Sequence, residues 1–276
     1  MNKIDFAIVF SVTQANPNGD PLNDNAPRVD LDGYGYVTEE CIKRKLRNRL
    51  AEKGQNIFVR GPEADGCTHL QARYKTIAGE VKEADDKTFH DVVCKKWYDV
   101  RMFGQVFPFK GEDGGDSKSV RGAFTVRRAF SVDPVYITSI QITKSVNGTE
   151  PKKVGGKSSD TMGMVHTVDF GVYVAYGSIN SMLAEKNGLT QDDYDELKEA
   201  ILTLFHNDCS AARPEGSMVV ERVVWWEHNC PAGQYATHKV HNSLELRKKS
   251  ERVRKFSDYE FSVKELPGLS VEIIEP

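Results

Sequence analysis

The sequence predicts an α+β fold. It reads as one domain over residues 1–276, with a strand–helix–strand–strand–helix–strand core, two large insertions and a basic C-terminal extension. Three observations lead there. Apolar residues recur at period two over 4–12 and 168–176, the spacing of strands with one apolar face. Two amphipathic helices open at capping threonines, Thr38 and Thr190. The stretches between are too rich in Gly, Asn, Asp and Pro to continue either kind of element.

The first strand sets Ile4, Phe6, Ile8, Phe10 and Val12 on one side. It ends in A-N-P-N-G-D-P-L-N-D-N-A-P at 15–27, a run of turn residues. The first helix carries Glu39 and Glu40 in its first turn, where the macrodipole favours acid. Ile42, Leu46 and Leu50 form its buried stripe, and Gly54 marks its end. Residues 54–118 read as an insertion, with a helix over 85–103 and a Gly/Asp loop at 111–116. Strand patterns return at 122–132 and 135–143, and a second insertion occupies 144–164. A firm strand then presents Val168, Phe170, Val172, Val174 and Tyr176 on one face. Thr190 and Asp193 make a capping box for a second helix bearing Tyr194, Leu197, Ile201, Leu204 and Phe205. The β-branched run 218–226 closes the core as a buried strand. This order matches the βαββαβ ferredoxin-like plan that the RNA-recognition motif (RRM) also uses.

Composition narrows the function classes. At 39% hydrophobic the chain can bury a sizeable core, and no run approaches the roughly 18 apolar residues of a membrane span. A secretory signal is not expected, because the chain runs straight into a strand pattern with Asp5 inside it. Five widely spaced cysteines and no C-x-x-C argue against a disulfide framework or a thiolate zinc site, and point to a cytoplasmic protein with ordinary thiols. A net charge of −3 excludes a uniformly basic nucleic-acid coat but not local patches. Residues 43–60 hold seven basic side chains against one acidic, and 247–255 hold six against one.

On the first helix, Lys43 and Arg47 lie on one shoulder of the apolar stripe, Lys45 and Arg49 on the other, and Arg44 nearly opposite. Cations so placed can follow a phosphate backbone or form a solvated face pairing Glu39 with Lys43 and Glu40 with Arg44. Either way they lie outside the stripe and are expected to stand clear of the core. Asp20, Asp24, Asp30 and Asp32 fall within thirteen residues, which raises Mg²⁺-dependent chemistry. Their spacing fits no EF-hand, and turn chemistry accounts for them better. V-G-G-K-S at 154–158 lacks the first glycine of a P-loop. Arg121–Val126 and 170–173 half-match the aromatic RNA-binding signature, though core packing explains both better. The histidines form no H-E-x-x-H, and no serine sits in G-x-S-x-G. No catalytic residue, metal site or cofactor is expected.

A set of local words adds a resemblance: N-P-N-G-D at 16–20, N-A-P-R-V-D at 25–30, V-T-E-E-C-I-K-R-K-L-R-N at 37–48, Y-D-V-R-M-F-G at 98–104, V-R-G-A-F at 120–124, R-A-F-S-V-D-P-V at 128–135, T-M-G-M-V-H at 161–166 and S-A-A-R at 210–213. In this order, over nearly the whole chain, they resemble the backbone (filament) subunit of type I-C CRISPR Cascade surveillance complexes, the Csd/Dvulg type. The resemblance implies a modified RRM palm with 54–118 as a finger and 144–164 as a thumb. It implies a non-enzymatic prokaryotic protein, cytoplasmic and not membrane-bound, that serves antiviral defence. Copies of itself would polymerise along the spacer of a guide RNA (crRNA), beside other Cascade subunits, each thumb displacing one base and leaving the rest to pair with target DNA. Carried over by motif, the RNA contacts come from Asn16, Asn18, Gly19 and Arg28, from Lys43, Arg44, Lys45 and Arg47, and from Met162 as a base wedge with His166. The chain departs from the pattern at Gly122-Ala123, where Pro commonly follows Gly, and at Met164, where a basic residue often stands. The alternative implied by related type III filament subunits is a metal-dependent ribonuclease using an Asp in the loop after the first strand.

Overall fold

The computed structural model describes residues 1–81, 84–108, 117–143 and 162–276. Strand β1 (Ile4–Ala15) leads through β2 (Gly19–Asp20), β3 (Ala26–Pro27) and β4 (Tyr34–Val37) to helix α1 (Glu39–Glu52). The insertion holds α2 (Leu70–Lys75), α3 (Ala78–Val81), α4 (Asp86–Lys96) and α5 (Tyr98–Phe103), closed by a hairpin of β5 (Gly104–Phe107) and β6 (Lys118–Arg121). Four strands follow: β7 (Phe124–Val126), β8 (Ala129–Pro134), β9 (Ile137–Thr143) and β10 (Met162–Ile179). After α6 (Ser181–Lys186) and α7 (Gln191–Leu202) come β11 (Met218–Glu227), α8 (Thr237–His241), a hairpin of β12 (Leu244–Lys248) and β13 (Tyr259–Val263), and β14 (Ser270–Ile274).

The main sheet is antiparallel in the order β14-β11-β1-β10-β8-β4, and β7 and β9 also pair with β10. Phe6, Ile8, Phe10 and Val12 pack against Ile42, Leu46 and Leu50 of α1 and Tyr194, Leu197 and Ile201 of α7. Phe6 stacks on Phe124 at 5.2 Å, and Phe10 on Tyr173 at 5.4 Å. Each such side chain contributes about 1.5–3 kcal/mol on full burial. Both helix caps form as expected: Thr38 Oγ1 accepts from Cys41 N, and Thr190 and Asp193 complete the capping box.

The opposite face of the sheet is covered as well. Ala7, Val9, Val172, Val174, Val224 and Trp226 pack under Val240, Leu244, Tyr259, Leu266 and Leu269. The basic C-terminal stretch is therefore no appendage. It supplies a second layer and, through β14, an edge strand on β11. A buried polar link fastens it: His228 Nε2 donates to the wholly buried Asp5 Oδ2 at 2.8 Å, and Gln234 N donates to His228 Nδ1 at 3.0 Å.

The first insertion has a core of its own. Phe58 meets Trp97 at 4.7 Å and Phe107 at 5.1 Å, with Phe89, Val93 and Cys94 packed alongside. The helix expected over 85–103 is broken at Trp97, whose backbone is extended (φ −121°, ψ 120°), giving α4 and α5. Asp99 ties the insertion to α1. Its carboxylate accepts from Phe58 N at 2.7 Å, Val59 N at 3.1 Å and Arg47 Nε of α1 at 2.9 Å. The Gly/Asp loop at 111–116 lies outside the described residues.

Burial in this second core pushes the Cys94 thiol up to about 12, while Cys209 is exposed. The thiolate is the reactive form. At pH 8 iodoacetamide should modify Cys209 within minutes and leave Cys94 intact until the insertion unfolds. Peptide mapping of alkylation with and without urea checks this, and early labelling of Cys94 would contradict the packing described.

The strand expected at 168–176 begins six residues earlier. Met162 pairs with Thr143 and Val168 with Ile137, so β9 and the first part of β10 form a two-stranded ribbon that runs on into the sheet. Of the expected thumb at 144–164, residues 162–164 are strand and 144–161 lie outside the described residues, as do the V-G-G-K-S segment and Thr161.

Candidate nucleic-acid interface

Three loops meet at one end of the sheet, where β1 finishes. Ala15 pairs with Val168 of β10, and Asn16 N donates to Ala212 O just ahead of β11 at 2.8 Å. The chain then folds back on itself. Asn18 O accepts from Arg28 N at 3.2 Å, and Asn18 Oδ1 accepts from Thr38 N at 3.0 Å, which brings the start of α1 against the loop. Gly19 allows this approach, because a Cβ there would run into Asn25. Asp24 and Asn25 close the turn at positive φ, 47° and 55°, a conformation that Asp and Asn tolerate best among non-glycine residues.

The ribbon base reaches the same place. His166 Nε2 stands 3.4 Å from Asp24 Oδ2, and its Nδ1 lies 2.8 Å from Ser139 Oγ of β9. His166, distant in sequence, thus joins the loop that carries Asn16, Asn18, Gly19 and Arg28. Asn16 is buried. Its Nδ2 donates to Asn25 O at 2.6 Å while its Oδ1 has no partner. Arg28 Nη2 lies 3.4 Å from Asp20 Oδ1, and Arg28 Nε has no partner either. The same loop thus holds one buried acceptor and one guanidinium nitrogen without hydrogen-bond partners among the described residues, groups that a ligand with donors and negative charge could engage.

The basic helix is less open than its pattern implied. Lys45 is buried, paired with Asp208 and set over the Phe205 ring at 5.7 Å. Arg47 is held by Asp99 and lies 5.2 Å over Phe103. Arg49 donates to Thr203 Oγ1 at 2.8 Å, and Lys53 pairs with Glu199. The expectation that these cations stand clear of the core is corrected at Lys45 and Arg47. Both shoulders of the stripe face packed neighbours, α7 and its following loop on one side and the insertion on the other. Arg44 is exposed and donates to Val59 O at 2.7 Å. Lys43 has no ion pair among the described residues, and partial burial together with Arg47 lowers its pKa.

The S-A-A-R motif adds Arg213 to the residues near this loop, a position that the sequence pattern does not single out. Its Nε lies 3.3 Å from Asp208 Oδ2, yet makes no hydrogen bond. Asp208 thus neutralises Lys45 and holds Arg213 at the loop cluster. The acid and the arginine stand five positions apart between α7 and β11, in a loop whose sequence carries no periodic signal. Burial raises the Cys41 thiol in the same neighbourhood, and the nearby charges of Lys45 and Arg213 oppose that shift.

The loop aspartates act in turns. Asp20 Oδ1 accepts from Leu22 N at 3.2 Å, and Asp30 Oδ1 accepts from Asp32 N and Tyr34 N at 3.0 and 2.9 Å. Met162 is 64% exposed on the ribbon, so it is not a core methionine, and Met164, Ile140 and Ile142 are exposed beside it. No described helix is long and apolar enough to cross a membrane.

Fold and site together define an α+β protein with a large antiparallel sheet, at one end of which polar loops bearing Arg28, Arg213 and His166 gather. The chain belongs to the family of CRISPR-associated protein Cas7, whose family model matches residues 2–264. It is similar to CRISPR-associated protein Cas7 of Haloferax volcanii, 27% identical over 293 aligned positions that cover 96% of this chain and 82% of that protein. Among solved structures it is similar to a chain of a "CRISPR RNA-guided surveillance complex, pre-nicking", with a TM-score of 0.48 and 15% identity over 82% of this chain and 78% of that one. A chain of another "CRISPR RNA-guided surveillance complex" has a TM-score of 0.48 and 17% identity over 82% and 69%.

Proposed function

We propose that this chain is the filament subunit of a type I-C Cascade surveillance complex, a non-enzymatic scaffold on which guide RNA is held for pairing with target DNA. One observation carries the reading. His166 meets the loop that holds 16–20 and Arg28 at Asp24, 142 positions earlier in the chain, so the motifs taken for RNA contacts fall in one region. Their chemistry suits a backbone grip rather than sequence readout. Lys and Arg neutralise phosphates on any spacer, and Asn and Gly expose main-chain groups. Arg28, Lys43, Arg44 and Arg213 are the cations assigned to the guide, and Lys45 and Arg47 keep α1 in place.

The strand order β11-β1-β10-β8, with α1 and α7 on one face, supports a ferredoxin-like, RRM-type palm. In this reading the separately cored insertion is the finger and the β9–β10 ribbon is the root of the thumb. Copies of itself, other Cascade subunits and the guide are its partners, in a prokaryotic cytoplasm. Met162 is the wedge between bases, being apolar, adaptable and exposed.

The test is assembly on guides of two spacer lengths. Native mass spectrometry should show more protomers on the longer guide, and chemical probing should show displaced bases at regular intervals. Met162→Gly should keep the protomer count and blur that spacing. A single protomer bound whatever the guide length would refute the scaffold reading.

A further inference from the structure

The second basic run, 247–255, plays no part in the loop cluster. It forms the end of the β12–β13 hairpin, with Arg252, Arg254 and Lys255 exposed and without an acidic partner among the described residues. Asp258 Oδ2 accepts from Arg254 N at 2.9 Å and Lys255 N at 3.2 Å, which fixes the tip. A groove of about 430 Å³ lies between β8, β10 and β12, the strand that continues into this tip. Val174, Leu244 and Leu246 form its apolar lining, with Arg127, Arg128 and Phe130 beside them. Arg127 stacks on Tyr176 at 5.2 Å and Arg128 on Tyr36 at 4.9 Å, while Phe130 is 42% exposed. Lys248, at the end of β12 before the tip, sets its Nζ 3.3 Å from Asp133 Oδ1.

An apolar and aromatic platform leading into fixed cations is the composition of a single-strand nucleic-acid channel. An acidic peptide would use the cations but leave the exposed ring and the apolar lining unused. We infer that this groove and its cationic tip hold a second single-stranded nucleic acid, separate from the guide. A base stacks on Phe130, and phosphates meet Arg252, Arg254 and Lys255. The inference rests on the guide reading only in calling this strand the second.

The probe is fluorescein-labelled oligo(dT), not complementary to the guide, added to guide-loaded protein and followed by anisotropy over a range of salt concentrations. Wild type binds it. The variant R252A/R254A/K255A binds at least ten-fold more weakly, with a salt slope shallower by about 2, at roughly 0.7 per lost phosphate contact. Phe130→Ala weakens binding by roughly five-fold or more and leaves the slope unchanged, since it removes stacking and no charge. Both variants take up guide as wild type does. Oligo(dT) affinity and slope equal to wild type in both variants would overturn the inference. So would loss of poly-glutamate binding with oligo(dT) binding intact, which would mark a docking site for acidic protein. If wild type takes up no guide but binds oligo(dT) in a tip-dependent manner, the scaffold reading falls and this inference stands.

Discussion

Asp99→Ala should lower the melting temperature by on the order of 10 °C. The carboxylate is buried, with 1% exposure, and accepts from two backbone N–H groups of the insertion and from Arg47 on α1. Removing it strands the Arg47 guanidinium and two buried donors together. Breaking a buried pair from one side costs about 3–5 kcal/mol. In a chain of this size each kcal/mol shifts the transition by roughly 2–4 °C. Arg47→Ala should be milder, because the two backbone donors keep their acceptor. The double variant should cost less than the sum, as expected for groups that share one contact. Thermal denaturation of the four proteins measures this, and additive losses would show that Arg47 does not depend on Asp99. The same experiment separates the two accounts of the basic helix. A helix cation that stabilises the fold changes the melting temperature, whereas one that serves RNA does not.

Arg28→Ala combined with Arg213→Ala should weaken guide-RNA binding by a hundred-fold or more and leave the fold nearly as stable. Each charge-assisted hydrogen bond contributes about 1.5–3 kcal/mol, so two such losses reach that range. The salt slope should become shallower by roughly 1.4, at about 0.7 per contact on a single strand. Stability changes little because the Arg28–Asp20 and Arg213–Asp208 pairs are partly solvated, and such pairs are worth about 0–1 kcal/mol. Lys45→Ala provides the contrast. Its ammonium is buried against Asp208, so stability falls first and RNA affinity follows only through the loop it supports. Filter binding at several salt concentrations, alongside melting curves, distinguishes these outcomes. An unchanged slope in the double arginine variant would remove both residues from the phosphate path.

Much of this was legible along the chain because it depends on local chemistry. The period-two run from Ile4, the Ile42/Leu46/Leu50 stripe and the Thr38 and Thr190 caps each need only neighbours within a few residues, and each appears as read. The turn residues at 16–28 marked a loop with a purpose, and its aspartates serve the turn as their type predicts. The break at Trp97 was not legible. The apolar spacing runs through it, and only the ring's place among Phe58 and Phe107 extends the backbone there.

The sequence by itself determined the class of fold, the helix stripe and the turn-rich loop after β1, because propensity, capping and turn formation act over short separations. Tertiary structure decided which cations are free. Lys43 and Lys45 are two residues apart on one helix, yet only Lys45 meets an acid, because Asp208, 163 positions away, is carried to it by the packing of α7 and its following loop. It also decided that the C-terminal stretch closes over the second face of the sheet. Alternation along β1 reports a face that is apolar, but Ala7 and Val9 are small enough to read as either exposed or covered, and only Val240, Leu244 and Tyr259 arriving from far along the chain settle the matter.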